Sequence, residues 1–270
     1  MVYKRIFSGL LLSLLIFFVL LGPSFLGAGL VIVIVGIALY EFYNLVEKKG
    51  IMISKKFGIS LGSLIPLLIY LNSLFKVSSP ATWEIVFTIL ICFIIFGVQF
   101  TRKDSQQAIA VLSTTIFGIL YISWPLSFFL KFIYLDKGRW LIAYLLLVIK
   151  LGDVGAYFVG TKFGWHTLIK RISPNKSKEG TLGGLLFSTL ASYGIGKNFL
   201  GMGTWESIFL GLLLGGLGQL GDLCESLLKR DCQVKDSGKI FPGLGGMLDL
   251  IDSIIFAVPF FYLYASYFLK

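Results

Sequence analysis

Long apolar runs, separated by short charged or proline-bearing breaks, limit what this chain can fold into more than any other feature. They lie near 6–21, 26–46, 57–75, 84–100, 108–130, 139–160, 181–197, 205–228 and 248–268. Each is close to the length a helix needs to cross a ~30 Å hydrocarbon core. In lipid, backbone N–H and C=O groups have to bond within their own segment, so each run reads as a membrane helix. The expected fold is an all-α integral membrane protein with about nine transmembrane helices. Composition agrees, since 14% of the 270 residues are charged where a soluble domain carries about 25%.

The breaks fall at Gly22-Pro23, Glu47–Lys56, Ser78-Ser79-Pro80, Arg102–Asp104 and Asp136–Arg139. Pro66 and Pro125 lie inside apolar runs and predict kinks, although Trp124-Pro125 could instead divide its run in two. Lys4 and Arg5 ahead of the first run resemble a signal peptide. Further spans follow at once, so the reading is an uncleaved first helix.

A net charge of +10 could suggest a nucleic-acid binder, but the distribution of Lys and Arg argues for topology instead. With the N-terminus inside, seventeen cations fall on the inner side and six on the outer, while Lys150 lies within a run. That bias predicts a cytoplasmic N-terminus, an outside C-terminus and a multi-pass protein of the inner (plasma) membrane, with no nucleic acid partner. Cys92, Cys224 and Cys232 show no spacing for a disulfide framework or zinc knuckle and read as free thiols.

Residues 1–135 read as transmembrane scaffold and a possible oligomer interface. Within them Glu41 is the main buried acid and reads as an interfacial carboxylate beside Tyr40 and Tyr43. The Gly211/Gly215 spacing is weak evidence for close helix packing. Residues 136–270 have a different character, with Lys150, Asp153, Asp222, Glu225, Asp249 and Asp252 in or at the ends of apolar helices. Lys150 and Asp153, three apart, could simply neutralise each other. The acids as a set outnumber the cations at their depth, and each charge there costs about 2.5–3.5 kcal/mol on insertion scales, so they are expected to face a partner or a wet cavity.

The densest cluster runs from Gly218 to Ser253. Asp222, Glu225, Ser226 and Lys229 share one helical face, which Gln219 extends, and Asp249 and Asp252 share another. Between them lie Lys229, Arg230, Lys235 and Lys239, interleaved with Asp231 and Asp236, and then Pro242-Gly243-Leu244-Gly245-Gly246. Carboxylates from two helix ends are hard oxygen ligands suited to Mg2+. Glycines let backbone N–H groups approach a phosphate, and a helix start adds a positive dipole end. A second basic loop, Thr161–Gly180, carries Trp165, Leu168 and Ile169 among its cations. It reads either as an ordinary positive-inside loop or as a surface attracting anionic headgroups and nucleotide phosphates. His166, the lone histidine, reads as structural. Together the parts point to a phosphorylated substrate handled at the cytoplasmic membrane face.

Ser226–Asp252 resembles the signature of the phosphatidate cytidylyltransferases, also called CDP-diacylglycerol synthases. The match runs through Ser226, Lys229, Arg230, Lys235, Asp236, Gly238, Pro242, Gly243, Gly245, Gly246, Asp249 and Asp252. Leu244 stands where that family usually has His, and Leu250 where it usually has Arg. Upstream, Asp153, Ala156, Tyr157, Phe158, Gly160, Ser173, Pro174, Lys176, Glu179 and Gly180 follow a second motif of the family, while Asn175, Ser177 and Lys178 depart from it. The resemblance implies transfer of CMP from CTP to phosphatidate, giving CDP-diacylglycerol and pyrophosphate. It implies Mg2+ held by Asp222, Asp249 and Asp252, with a second, monovalent cation as a further candidate. Asp222, Asp249, Lys229 and Ser226 become the candidate catalytic residues. Lys176, Lys178, Arg230, Lys235, Asp236, Gly245, Gly246 and Asp153 become the candidate substrate-binding residues, with Lys150 nearby. The expected partners are CTP, phosphatidate, membrane lipids and a second copy of the chain. A CTP-dependent lipid kinase of the polyprenol type, or a transporter built on the buried charges, stays open as an alternative.

Overall fold

The computed structural model describes residues 22–75, 80–102, 105–241, 243 and 245–269. The first apolar run with Lys4 and Arg5, together with Lys76, Lys103, Pro242, Leu244 and Lys270, lies outside the described residues. The chain is mostly helical and divides into two compact units. One comprises residues up to Tyr134 together with Ser237–Leu248; the other comprises Leu135–Asp236 and Asp249 onward.

The first unit contains α1 (Ser24–Glu47), α2 (Lys55–Phe75), α3 (Pro80–Phe100), α4 (Ala108–Gly118) and α5 (Trp124–Phe132). Lys55 closes the α1–α2 turn by pairing with Glu47 and with Asn44 Oδ1, each at 2.5 Å. Leu61 and Ile65 of α2, Ile91 and Ile95 of α3 and Ile119 form a buried apolar cluster. Tyr43, fully buried on α1, donates to the Thr115 carbonyl at 3.2 Å. Between α4 and α5 the backbone forms one wide π turn, Ile119–Ser123. Pro125 follows in the first turn of α5. A proline has no N–H to give and crowds the carbonyl four residues back, and a widened turn just before it relieves both problems. Trp124-Pro125 therefore marks a change of helix type inside a continuous run.

The second unit contains α6 (Gly138–Phe163), the strands β1 (Thr167–Ile169) and β2 (Ser173–Ser177), α7 (Lys178–Ile195), α8 (Thr204–Asp231), α9 (Met247–Ile255, from Asp249) and α10 (Ala257–Phe268). The stretch read as a loop at Thr161–Gly180 is thus partly an antiparallel hairpin, a small departure from an all-α fold. Its second strand runs straight into α7, where the Ser177 hydroxyl caps the helix by accepting from the Gly180 amide at 3.0 Å. The last apolar run is divided at Phe256, three residues before Pro259, whose ring could not sit beside the Ile255 carbonyl in an unbroken helix.

Among the described residues, six helices are long and apolar enough to cross a membrane: Ser24–Glu47, Lys55–Leu74, Ala108–Phe132, Gly138–Phe163, Thr204–Asp231 and Met247–Phe268. α7 is helical where a span was expected, but its glycines, serines and threonines lower its hydropathy. These small residues face its neighbours. A Cβ at Gly152 or Gly155 of α6 would strike Ser188 or Phe187 of α7, and one at Gly211 or Gly215 of α8 would strike Thr189 or Ser188. The Gly211/Gly215 pair is therefore a true packing face. Hydroxyls tie the same helices together, with Tyr144 bonded to Ser192 and Ser192 donating to the Ser207 carbonyl, both at 2.5 Å.

This packing predicts a contrast between two glycines of α8. A Cβ at Gly211 would lie 2.5 Å from the Thr189 Cα, which is backbone and cannot yield. Gly211→Val should therefore cost about 1–3 kcal/mol through forced separation of α7 and α8. Gly216, with nothing within 4 Å of an added Cβ, should accept alanine at no cost or with a gain of up to about 1 kcal/mol. Thermal unfolding in detergent measures both, and equal melting temperatures for the two variants would contradict the packing described.

Candidate active site

The acids of the second unit converge because α8 and α9 approach closely. A Cβ on Gly221 would lie 2.1 Å from the Asp252 carbonyl, so only glycine permits this crossing. Asp222, Glu225, Ser226 and Lys229 follow on the same face of α8, with the Ser226 hydroxyl 3.4 Å from Asp222 Oδ1. Glu225 is 0% exposed and pairs with Lys229 one turn along. The Lys229 ammonium also donates to Asp249 Oδ1 of α9 at 2.6 Å, so one lysine bridges two helices. Lys176, from the end of β2, pairs with Asp222 at 2.5 Å and fastens the hairpin to α8.

A second set of contacts joins α6 to α9. Lys150 Nζ donates to Asp153 Oδ2 at 3.1 Å, to Ser253 Oγ at 3.0 Å and to the Leu250 carbonyl at 3.3 Å. Ser253 Oγ donates in turn to Asp153 Oδ2 at 3.2 Å. Lys150 and Asp153 are thus more than a mutually neutralising pair, because they hold the backbone of α9. Asp252, 7% exposed, accepts from the Ser253 amide at 2.5 Å and lies within electrostatic reach of Asp222, Asp153 and Lys150.

Among the described residues, this cluster gathers five carboxyl groups (Asp153, Asp222, Glu225, Asp249 and Asp252) with three lysine ammoniums (Lys150, Lys176 and Lys229), so acids outnumber lysines. Glu225 Oε1 is buried with no hydrogen-bond partner. A surplus of hard oxygens around an unsatisfied carboxylate suits a divalent cation. No three His, Cys, Asp or Glu side chains among the described residues form a ready-made cage. One or two of these carboxylates fit the needs of an ion such as Mg2+, which fills the rest of its shell with water and phosphate oxygens.

Other candidate residues lie elsewhere. The Arg230 guanidinium donates to the backbone carbonyls of Ile172 and Val234, both at 3.2 Å, and so anchors the hairpin turn to the end of α8. Lys178, Lys235 and Asp236 are exposed. Gly245 and Gly246 belong to the first unit. Gly245 has a φ of +98° and exchanges two backbone hydrogen bonds with Phe241, so its N–H is already used. His166 Nδ1 lies 2.6 Å from Glu179 Oε1, and this hydrogen bond holds the Glu179 carboxyl well below its ordinary value, at about 2. The histidine serves the hairpin, as its isolation in the sequence suggested.

Glu41 is the residue whose role the sequence reading missed. It is 3% exposed, and instead of lying at an interface its two oxygens accept from Ser237 Oγ at 3.1 Å, the Met247 amide at 3.0 Å and the Leu248 amide at 2.9 Å, all inside the first unit. The helix start that was expected to attract phosphate is thus already capped by a protein carboxylate. A lone acid in an apolar helix was a signal that could have pointed to a buried partner.

Comparison with known proteins bears directly on this site. The model of the cytidylyltransferase family matches residues 3–268. The chain is similar to the uncharacterized protein YnbB of Escherichia coli (strain K12), 37% identical over 153 residues, which is 57% of this chain and 51% of YnbB. It is similar to the phosphatidate cytidylyltransferase of Chlamydia pneumoniae, 35% identical over 190 residues, covering 66% of this chain and 61% of that protein. With the phosphatidate cytidylyltransferase of Bacillus subtilis (strain 168) it shares 31% identity over 268 residues, 96% of each chain. The chain therefore spans only about half of the first relative, less than two thirds of the second, and nearly all of the third. Matched along almost its whole length, with the clustered acids and lysines inside the matched region, the chain belongs to the cytidylyltransferase family.

Proposed function

We propose that this protein transfers CMP from CTP to phosphatidate, releasing pyrophosphate and leaving CDP-diacylglycerol in the membrane. The observation that carries the reading is the surplus of carboxylates on α6, α8 and α9, interleaved with lysines that reach across helices. A phosphate oxygen of phosphatidate, anionic near neutral pH, attacks the α-phosphorus of CTP. The bond to the α,β-bridging oxygen breaks and pyrophosphate leaves with that electron pair. No strong base is required, which suits a chain whose sole histidine is committed to Glu179. Catalysis then rests on positioning and on cations placed where charge develops.

Lys176 and Lys229 now neutralise Asp222, Glu225 and Asp249. Their ammoniums lie where they could turn from carboxylates to substrate phosphates, and Ser226 beside Asp222 offers a hydroxyl to the same place. Asp222, Asp249 and Asp252 are the acids from which Mg2+ would draw its one or two carboxylates, and when bound it supplies charge that offsets the α-phosphate and the departing pyrophosphate. The Lys150 ammonium sits among three oxygens at the α6–α9 junction, and a second, monovalent cation belongs to the same reading as a further candidate. Lys178, Lys235 and Asp236 extend the substrate surface on the cytoplasmic side. The wider reading has nine spans, the N-terminus inside, the C-terminus outside, and a homodimer in the inner membrane.

Two outcomes are expected. With CTP labelled at the α-phosphate, purified protein in phosphatidate-containing micelles should pass label to the lipid and release pyrophosphate only with Mg2+, and EDTA should stop it. Transfer of γ-label to lipid would instead indicate the kinase, and no turnover under these conditions would remove the proposal. Asp249→Asn should lower kcat by at least about 100-fold, the scale of losing one preorganised electrostatic group, while keeping a cooperative melt. Activity within a few fold of the parent would take Asp249 out of the site.

A further inference from the structure

One buried carboxylate has no place in the mechanism above. Glu41 sits in an apolar helix, 3% exposed, and both of its oxygens are used. Oε1 accepts from the Met247 amide; Oε2 accepts from the Leu248 amide and from Ser237 Oγ. These donors lie at the two ends of the glycine loop, ten residues apart in sequence, so one side chain closes the loop across its base. The loop is built around that carboxylate. A Cβ on Gly238 would lie 2.3 Å from Glu41 Oε1, and one on Gly246 would lie 2.3 Å from Oε2. At the tip, Gly243 and Gly245 take φ of +88° and +98°, and Phe241 and Gly245 pair through their backbones. Glycines at the base thus make room for the acid, and glycines at the tip make the turn.

The amides that Glu41 holds open α9, and the next residue is Asp249. A carboxylate on these first N–H groups satisfies donors that would be orphaned in an apolar setting, and it opposes the positive end of the helix. It also excludes substrate phosphate from those two amides, so phosphate recognition falls to lysine side chains.

We propose that Glu41 is a positioning residue for cytidylyl transfer, fixing the glycine loop and the start of the helix that carries Asp249. The role in turnover rests on the reaction proposed above; the clasp on the loop does not. It gives the first unit a catalytic duty and makes α1 more than scaffold. An amide cannot replace the carboxylate, because Gln offers one acceptor oxygen and would turn an NH2 toward a backbone donor.

The test uses the full-length chain in detergent with CTP, Mg2+ and phosphatidate, alongside limited trypsin cleavage at Lys239, an exposed loop residue. Glu41→Gln should lower kcat by about 10-fold or more, the scale of a slight misplacement of reacting groups, with the CTP KM changed much less. Cleavage at Lys239 should quicken while the global melt stays cooperative. Gly238→Ala, which displaces the carboxylate without removing it, should reproduce both effects and serves if Glu41→Gln does not fold. The double variant Glu41→Ala/Gly238→Ala should be no worse than Glu41→Ala alone, because the two changes remove one interaction. Parent-like kcat in both single variants, or strictly multiplicative losses in the double variant, would overturn the proposal. If the parent itself fails to turn over, the proposed reaction falls and cleavage alone decides: faster cleavage in Glu41→Gln supports the clasp, and unchanged cleavage refutes it.

Discussion

At Gly221 the backbone of α8 runs against the carbonyl of Asp252 on α9, nearer than any side chain would allow. The candidate site depends on that contact. With the helices this close, consecutive turns of α8 present Asp222, Glu225 and Lys229 to the face of α9 that carries Asp249 and Asp252. The price is like charges crowded in a medium that stabilises none of them, and only nearby cations can offset it. Lys229 answers two acids at once, Lys176 comes from the hairpin to a third, and Lys150 comes from α6. The ion pairs follow from the helix crossing, and the crossing follows from glycine.

The same logic extends through the second unit. Lipid tails are as apolar as leucine, so hydrophobicity alone cannot choose which helices touch. Small residues make the choice by letting backbones approach, and buried hydroxyls then complete it. α7 is the extreme case, packed through small residues against both α6 and α8. In the first unit larger groups lie over the glycines, Tyr43 against Gly58 and Leu39 against Gly62, while the isoleucine cluster fills space between α2, α3 and Ile119.

Much of this was legible in the sequence. Described helices appear where the apolar runs predict them, because backbone bonding in lipid leaves few options. The acids and lysines of residues 150–252 could be grouped by helical face, since spacing alone sets which side chains share a side. Three features were not legible. The hairpin at Thr167–Ser177 has little apolar alternation, and it is held by α8, through Arg230 on the Ile172 carbonyl and Asp222 on Lys176. The break before Pro259 was hidden by a run that is apolar on both sides of it. Glu41 and the base of the glycine loop are about 200 residues apart, and no local pattern links them.

Taken alone, then, the sequence determined that the chain must be helical in a membrane, where its polar residues concentrate, and that their motifs resemble those of a nucleotidyltransferase. These properties depend on hydropathy, helical period and residue spacing, all of which are local. Tertiary structure decided which lysine answers which acid, that Arg230 binds carbonyls, and that the opening amides of α9 belong to Glu41. Each of those depends on how closely two backbones can approach. That distance is set by which glycines and serines meet across an interface, and no stretch of sequence read by itself contains it.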